Sequence, residues 1–550
     1  MRETMKTQTN STFRSVILES ASRYADKHAL SFVGEEGYTY SGVFKRIEAM
    51  AAFLEKLGIS KDDKVALIGP NSPDWVISYL AVVYLGGTIV PILHDFSPEE
   101  VQSILEHSEA KAIITDKKTD SLIENYPANL QYVISLDDYS FLRDTGASIS
   151  FSEGSKPALK AEIDADDMAA IIYTSGTTGN SKGVMLSHRN IITNAFMGKK
   201  LQHIDDSDRF LSILPLAHTY ENTVGMVIPL VSGSSIYYLR KPPTAPVLLP
   251  ALKAVRPTIM LSVPLIIEKI YFNKIKPTFT DKAALRIIYK LPPVRKMLNR
   301  IAGKKLMETF GGEIIFFGIG GAKVNPEVER FLFEAKFPYA IGYGLTETAP
   351  LLAGMAPDNA RLYSTGPACE EVELILNDPD PATGQGEIWA RGPNIMKGYY
   401  KNPEKTKEVL TEDGWFRTGD LGAVDKDGFV FIKGRLKTVI VGASGENIYP
   451  EEIESMINTF KHVVESLVIE KGGKLVAMVH INRDELEEKY RDLRDDLARG
   501  VEEKIEEVVR ELNHQVNQRL NKFSRINQFV VQPVPFEKTP TRKIKRYLYA

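Results

Sequence analysis

Residues 168–187, MAAIIYTSGTTGNSKGVMLS, restrict the fold more tightly than any other stretch of the chain. Ala169, Ala170, Ile171 and Ile172 make an apolar run with no polar alternation, the pattern of a strand covered on both faces. The strand opens directly into residues 173–183, where most side chains are small. Small side chains let backbone N–H groups approach anionic oxygens, the hydroxyls of Thr174, Ser175, Thr177 and Thr178 add donors, and Lys182 adds charge. A flexible linker is not normally launched from a buried strand and closed by a lysine. The order is not that of a Walker A loop either, since Ser181 precedes Lys182 and Gly183 follows it, where that loop requires Gly and then Ser or Thr. The segment reads as a phosphate-handling loop mounted on a sheet enclosed by helices.

The chain ahead of this loop repeats one pattern. Residues 39–59 carry Val43, Phe44, Ile47, Met50, Ala51, Leu54 and Leu57 as a helical stripe, with Ser41 expected as the cap and Gly58 as the stop. Strand 64–69 follows, then a helix opened by Ser72 and Pro73 and stopped at Gly86. Strand 88–92, a helix opened by the capping box Ser97 and Glu100, and strand 111–116 complete the series. Such alternation argues an α/β fold with a parallel sheet covered on both faces. The apolar run 75–93 approaches the ~20 residues that span a bilayer. Gly86, Gly87 and Pro91 interrupt it, so it reads as a buried helix followed by a strand, and no transmembrane segment is expected.

The 550 residues exceed one core and suggest three to four units of ~150 residues. A net charge of −3 and a pI near 6.4 leave no basic field for nucleic acid, which is not expected as a partner. One cysteine, Cys369, excludes an internal disulfide framework and fits a reducing compartment. The opening MRETMKTQTNSTF lacks the apolar core of a secretory leader, so a cytoplasmic location is expected, with peripheral contact at the inner face of the membrane kept open. The basic stretch 274–305, with Lys290, Arg295, Lys296, Arg300, Lys304 and Lys305 clustered, reads first as solvated surface helices. Its second reading is a dock for a membrane surface or an acidic carrier protein.

Further motifs follow. Residues 214–222, LPLAHTYEN, set His218 shortly after a strand-like run, although a lone histidine is more often packed or capping than catalytic. Residues 261–271 read as an apolar wall element. Residues 314–322, IIFFGIGGA, and 340–350, AIGYGLTETAP, are buried strands closing on glycine-lined openings that suit a planar adenine. Gly320, Gly321 and Ala322 permit close backbone approach at the first, Gly342 and Gly344 line the second, and Tyr343 can stack. Thr346 can donate to a phosphate, and Glu347 can hold Mg2+, which prefers carboxylate and phosphate oxygens. Residues 428–434 read as a strand, 446–460 as a helix opened around Pro450, 463–469 and 474–481 as strands, and 483–522 as one or two surface helices.

The loop YTSGTTGNSKG resembles the signature of the adenylate-forming superfamily of acyl-CoA synthetases, amino-acid adenylation domains and luciferases. The later motifs keep the family's order, including residues 386–406, GWFRTGDLG at 414–422, GRLK at 434–437 and the terminal PFEKTPTRKIKRYLYA. The resemblance implies a large N-terminal domain, 1–434, with parallel sheets under helices, binding ATP and the acyl substrate, and a small mobile α+β C-terminal domain, 435–550, carrying a catalytic lysine. It assigns Thr174, Ser175, Gly176, Thr177, Thr178, Gly179 and Lys182 to the nucleotide, together with Gly321, Ala322, Gly342, Tyr343 and Gly344. Asp420 and Arg435 become ribose contacts, Lys437 the hinge, Gly445 a residue of the pantetheine channel, and Thr174 and Glu347 the magnesium ligands. Lys543, Glu347, Thr346 and His218 become the catalytic set. Thr438 stands where an Asp often follows the hinge, and Arg542 where a Gly often precedes the lysine, which keeps Lys545 as an alternative to Lys543.

LPLAHTYE is similar to the version in long-chain fatty acyl-CoA synthetases. Amino-acid adenylation domains usually place an Asp soon after it to pair the substrate ammonium, and no Asp lies between His218 and Pro257. The expected activity is that of a medium- or long-chain fatty acid–CoA ligase using ATP, Mg2+ and coenzyme A. An acyl carrier protein as acceptor is the alternative, and a non-catalytic nucleotide-binding regulator is less favoured.

Overall fold

The computed structural model describes residues 10–123, 125–144, 146, 148–174, 181–441, 447–460, 462–483, 497–521, 524–539 and 543–549. The βα alternation builds a seven-stranded sheet in the order Gly398–Tyr399, Lys182–Ser187, Met168–Thr174, Thr88–Ile92, Lys64–Ile68, Ala112–Thr115, Tyr132–Ser135. The five strands from Met168–Thr174 onward run parallel, and the first two pair antiparallel at one edge. Thr88–Ile92 is buried at every residue, as a central strand covered on both faces must be.

The helix Pro73–Leu85 is capped by Ser72, whose hydroxyl accepts from the Trp75 N–H, and stopped by Gly86 at φ 99°. All of its residues except Asp74 are buried, so its lack of a polar face reflects a place inside the protein. No helix among the described residues is long and apolar enough to cross a membrane. The helix Tyr40–Lys56 corrects one expectation: its cap is Thr39, not Ser41. The Thr39 hydroxyl accepts from the Gly42 N–H at 3.2 Å, and Ser41 is already helical. Pairing of Thr39 with His28 on the neighbouring strand holds Thr39 extended and so selects between the two hydroxyl residues.

A second seven-stranded sheet runs Tyr339–Ile341, Phe316–Ile319, Ile259–Ser262, Arg209–Leu211, Ser235–Tyr238, His28–Phe32, Tyr38–Thr39, parallel except for the last strand. Its first strands end at the two glycine-lined openings. A four-stranded antiparallel sheet, Glu373–Asn377, Gly386–Arg391, Phe416–Val424 and Val430–Arg435, carries the chain toward its last part.

There a small α+β unit forms around the three-stranded sheet Val463–Lys471, Lys474–Ile481, Gln528–Gln532. The helices Pro450–Ile457 and Leu497–Arg519 pack on it, and Ile453, Ile457, Val468, Ala477, Leu512 and Val516 belong to a core of its own. It meets the larger part through polar contacts: Lys323 with Glu452 at 2.5 Å, Asn325 donating to the Ser455 carbonyl at 3.1 Å, and Tyr449 donating to Gln385 at 2.7 Å. A polar interface of this kind permits relative motion of the two parts.

Candidate active site

Glu347 sits in the tight turn Thr346–Thr348, just past the short strand Tyr343–Gly344. A Cβ on Gly344 would fall 1.8 Å from the Pro350 carbonyl oxygen, so only glycine lets the backbone close there. The Asn394 amide donates to the Thr348 and Leu351 carbonyls at 2.9 Å each, and Asn194 donates to the Leu351 carbonyl at 2.7 Å. These clamps hold the Glu347 side chain in place. Tyr399 donates its hydroxyl to Glu347 Oε1 at 2.8 Å, and the Lys182 ammonium lies 5.0 Å from the Tyr399 ring centroid. Thr174, the last residue of its strand, pairs with Lys182, the first residue of the next. Ser175, Gly176, Thr177, Thr178, Gly179 and Gly445 lie outside the described residues.

Asp420 is placed by the strand Phe416–Val424 and is 4% exposed. Gly419, at φ 72°, and the Thr418 hydroxyl, accepting from the Asp420 N–H at 3.1 Å, turn the chain ahead of it. Tyr343 donates its hydroxyl to Asp420 Oδ2 at 2.8 Å, and Arg435 Nε reaches Oδ1 at 3.1 Å from the directly paired strand position. Burial raises the Asp420 pKa, while Arg435 and the Tyr343 hydroxyl work against it. A carboxylate offers about four acceptor sites, so each oxygen retains capacity for a further donor such as a ribose hydroxyl.

Lys543 arrives from the terminal unit on a hairpin in which its N–H donates to the Thr539 hydroxyl at 3.1 Å and its carbonyl accepts from the Thr539 N–H at 2.7 Å. The hairpin is anchored by Lys538 to Glu465 at 2.5 Å and by buried Phe536, edge-on to Tyr549 at 5.1 Å. Lys543 keeps contact with solvent, yet protein surrounds the cleft it enters. That enclosure lowers its pKa first and Arg435 lowers it further, while Asp420 and Glu347 oppose them. Lys545 instead donates its N–H to the Glu537 carbonyl at 2.8 Å, ahead of the turn Arg546–Leu548. His218 Nδ1 accepts from the Tyr220 N–H at 3.2 Å, which assigns the ring proton to Nε2. Burial, helped by Lys543, pushes the His218 pKa down to about 4, so the imidazole is a neutral donor at pH 7.

Arg435, Lys437, Lys182 and Lys543 thus gather around two carboxylates, Glu347 and Asp420. Burial and then Lys437 lower the Lys182 pKa, with Glu347 opposing. A cationic excess held partly out of water fits a polyanion such as a triphosphate. One carboxylate and one hydroxyl fit Mg2+, which takes one or two carboxylates and completes its shell with phosphates and water. The exposed turn carrying Lys437 is closed by the Thr438 hydroxyl, which donates to the Arg435 carbonyl at 3.1 Å. Gly321 and Ala322 are exposed beyond the strand Phe316–Ile319, and Gly342 lies beyond Tyr339–Ile341.

Sequence reasoning missed three side chains that shape this site. Tyr399 was inside the motif at 386–406 but carried no signal of its own. Tyr220 lies against the glycine-rich strand end, where a Cβ on Gly318 or Gly320 would meet it at 2.8 or 3.1 Å. Glu221, 1% exposed, accepts from the Ser212 hydroxyl at 2.6 Å, and Asn71 donates to Ser212 Oγ at 3.0 Å and to the Leu214 carbonyl at 2.6 Å. This buried network, in which burial pushes Glu221 up to about 8, holds the loop that carries His218.

Residues 17–400 match the family described as AMP-binding enzyme. A chloroplastic long-chain-fatty-acid–[acyl-carrier-protein] ligase of Arabidopsis thaliana is 30% identical over 561 residues, covering 85% of this chain and 76% of the relative. A long-chain-fatty-acid–CoA ligase of Bacillus subtilis is 30% identical over 504 residues, covering 84% of this chain and 82% of the relative. Among solved structures, the O-succinylbenzoate coenzyme A synthetase of Bacillus subtilis in complex with ATP and magnesium ion superposes with a TM-score of 0.74 at 22% identity, covering 97% of this chain and 98% of that one. By sequence and by fold, the chain belongs to the AMP-binding family of adenylate-forming, ATP-dependent acid–thiol ligases.

Proposed function

We propose that this ligase activates a medium- or long-chain fatty acid and transfers it to coenzyme A. The observation that carries the reading is the meeting of Lys543 from the terminal unit with Asp420 and Glu347 of the larger one, beside Arg435 at the boundary between them. The two named relatives act on long-chain fatty acids, and the absence of an Asp between His218 and Pro257 disfavours a substrate ammonium. We take the domain boundary at 434/435, where the strand Val430–Arg435 ends in the Thr438-closed turn.

A carboxylate resists nucleophiles because of its charge and because its oxygen leaves poorly. In the first step a carboxylate oxygen attacks the α-phosphorus of ATP, the bond to pyrophosphate breaks, and pyrophosphate departs. In the second the thiolate sulfur attacks the acyl carbon and AMP departs. Lys543 holds carboxylate and α-phosphate together, Lys182 and the loop hydroxyls hold the outer phosphates, and Asp420 with Arg435 holds the ribose. Thr346 donates to phosphate, and His218 Nε2–H donates to the substrate carboxylate. A magnesium ion held by Glu347 and Thr174 would neutralise phosphate charge. Catalysis is then mainly positioning and electrostatics.

Pyrophosphate release across a series of carboxylic acids, run with coenzyme A, with acyl carrier protein and with neither, tests this reading. Release with fatty acids, completed as a thioester only with coenzyme A, is the expected result. Completion only on the carrier protein would favour the second reading, which the Arabidopsis relative supports. Robust ATP–pyrophosphate exchange with amino acids and none with fatty acids would sink both. Because His218 is held to about 4, adenylation should show no inflection from it between pH 5.5 and 8. An inflection there that His218→Asn abolishes would contradict the neutral-donor role.

A further inference from the structure

Residues 282–305 contain eight Lys or Arg and no Asp or Glu, in a chain whose net charge is −3. They fold into the helix Ala283–Ile288 and most of the helix Pro292–Thr309. The longer helix buries Asn299, Gly303 and Leu306, with Gly303 so close to Ala335 that a Cβ would stand 2.8 Å from it. On the side away from that edge, Met297 is 55% and Ile301 50% exposed, one turn apart. Ile287 at 68% and Leu291 at 54% are also exposed, in the segment that leads into this helix. Lys296, Arg300 and Lys304 recur at one-turn spacing along the same helix and are all exposed.

Arg295 is paired, reaching Glu334 at 2.8 Å. The other seven cations of the stretch have no ion pair among the described residues. A solvated cationic face accounts for the charges but not for four large apolar side chains left half or more exposed within the same stretch. A protein partner would need an apolar recess shaped to each of them and carboxylates set between. An anionic bilayer meets both needs without shape matching: apolar side chains enter the headgroup boundary while lysine and arginine stems reach up to the phosphates.

We propose that this face docks on an anionic lipid surface, with Ile287, Leu291, Met297 and Ile301 entering the bilayer and the surrounding cations on the headgroups. The test is cosedimentation of the full chain with vesicles of phosphatidylcholine alone or mixed with phosphatidylglycerol. Binding is expected on the mixed vesicles, and only weak binding on the neutral ones. Near such a surface each basic side chain contributes a factor of about 5, so K296E/R300E/K304E should lower partitioning on the order of 100-fold. Met297→Ser with Ile301→Ser should lower it on the order of 10-fold. Pyrophosphate exchange without vesicles should be unchanged in both variants, which controls for folding. Absence of binding to the mixed vesicles, or binding indifferent to both variants, overturns the proposal. Capture of an acidic carrier protein in place of vesicles, lost on charge reversal, assigns the face to a protein and also overturns it.

Discussion

Replacing Lys543 with alanine is expected to slow acyl-adenylate formation by about 10²-fold or more, the scale for losing one preorganised charge stabiliser, and to spare thioester formation from supplied acyl-adenylate. The first half rests on where the ammonium stands: in the field of Arg435, Asp420 and Glu347, and near enough to His218 to depress its pKa. The second half rests on how the terminal unit is attached. Its contacts to the larger part include the Lys323–Glu452 pair, the Asn325–Ser455 bond and the Tyr449–Gln385 bond, all polar and individually weak. A turn of this unit about Lys437 would withdraw Lys543 once the adenylate exists. The substitution should leave the fold intact, because the hairpin is held by backbone bonds to Thr539, by Lys538 with Glu465 and by Phe536. Lys545→Ala is the control and should leave both steps nearly unchanged. A selective adenylation defect in Lys545→Ala, with none in Lys543→Ala, would move the assignment two residues along. Loss of both half-reactions in Lys543→Ala would count against the rotating unit.

Local chemistry made much of the fold legible. Ser72, Pro73 and Gly86 mark both ends of the buried helix Pro73–Leu85, and Ser97 with Glu100 marks the start of the next, because capping depends only on neighbours in sequence. The strand Lys474–Ile481 ends where its apolar run ends, and Thr88–Ile92 has the bounds its apolar, β-branched residues mark. The Thr39 cap was not legible, since a strand pairing with His28 chooses it over Ser41. The antiparallel strand Lys182–Ser187 was hidden for a similar reason: its partner Met168–Thr174 lies across a glycine-rich loop that advertises ligand binding, not a hairpin. In the site, Glu347 and Asp420 stood out because acids within glycine-rich apolar stretches need a purpose. Tyr399 and Glu221 did not, because a tyrosine beside a second tyrosine, or a glutamate after a tyrosine, looks like ordinary surface until tertiary packing buries it. The exposed apolar residues at 287–301 were equally silent, since their sequence spacing fits a core-facing helix and the structure turns them outward.

Removing the Glu347 carboxylate should raise the adenylation barrier by about 3 to 4 kcal/mol, at least the cost of losing one oxyanion donor. Glu347→Gln is the informative variant, because it preserves the volume beside Tyr399 and the backbone clamps from Asn194 and Asn394 while removing the charge. Two roles are then separable. As a magnesium ligand, Glu347 binds the metal more weakly once neutral, and rising Mg2+ should recover part of the rate. As a counter-charge, Glu347 supports the protonated forms of Lys182 and Lys543, so its loss lowers both pKa values and shifts the decline in rate toward lower pH. Tyr399→Phe, which removes only the hydroxyl donor, should cost about 1.5 to 3 kcal/mol, the usual net value of a hydrogen bond to a charged group. The measurement is pyrophosphate exchange against Mg2+ concentration at two pH values. Near-normal exchange by Glu347→Gln at ordinary Mg2+ would mean that another carboxylate holds the metal, and a pH shift without any response to Mg2+ would leave Glu347 as a counter-charge to the two lysines.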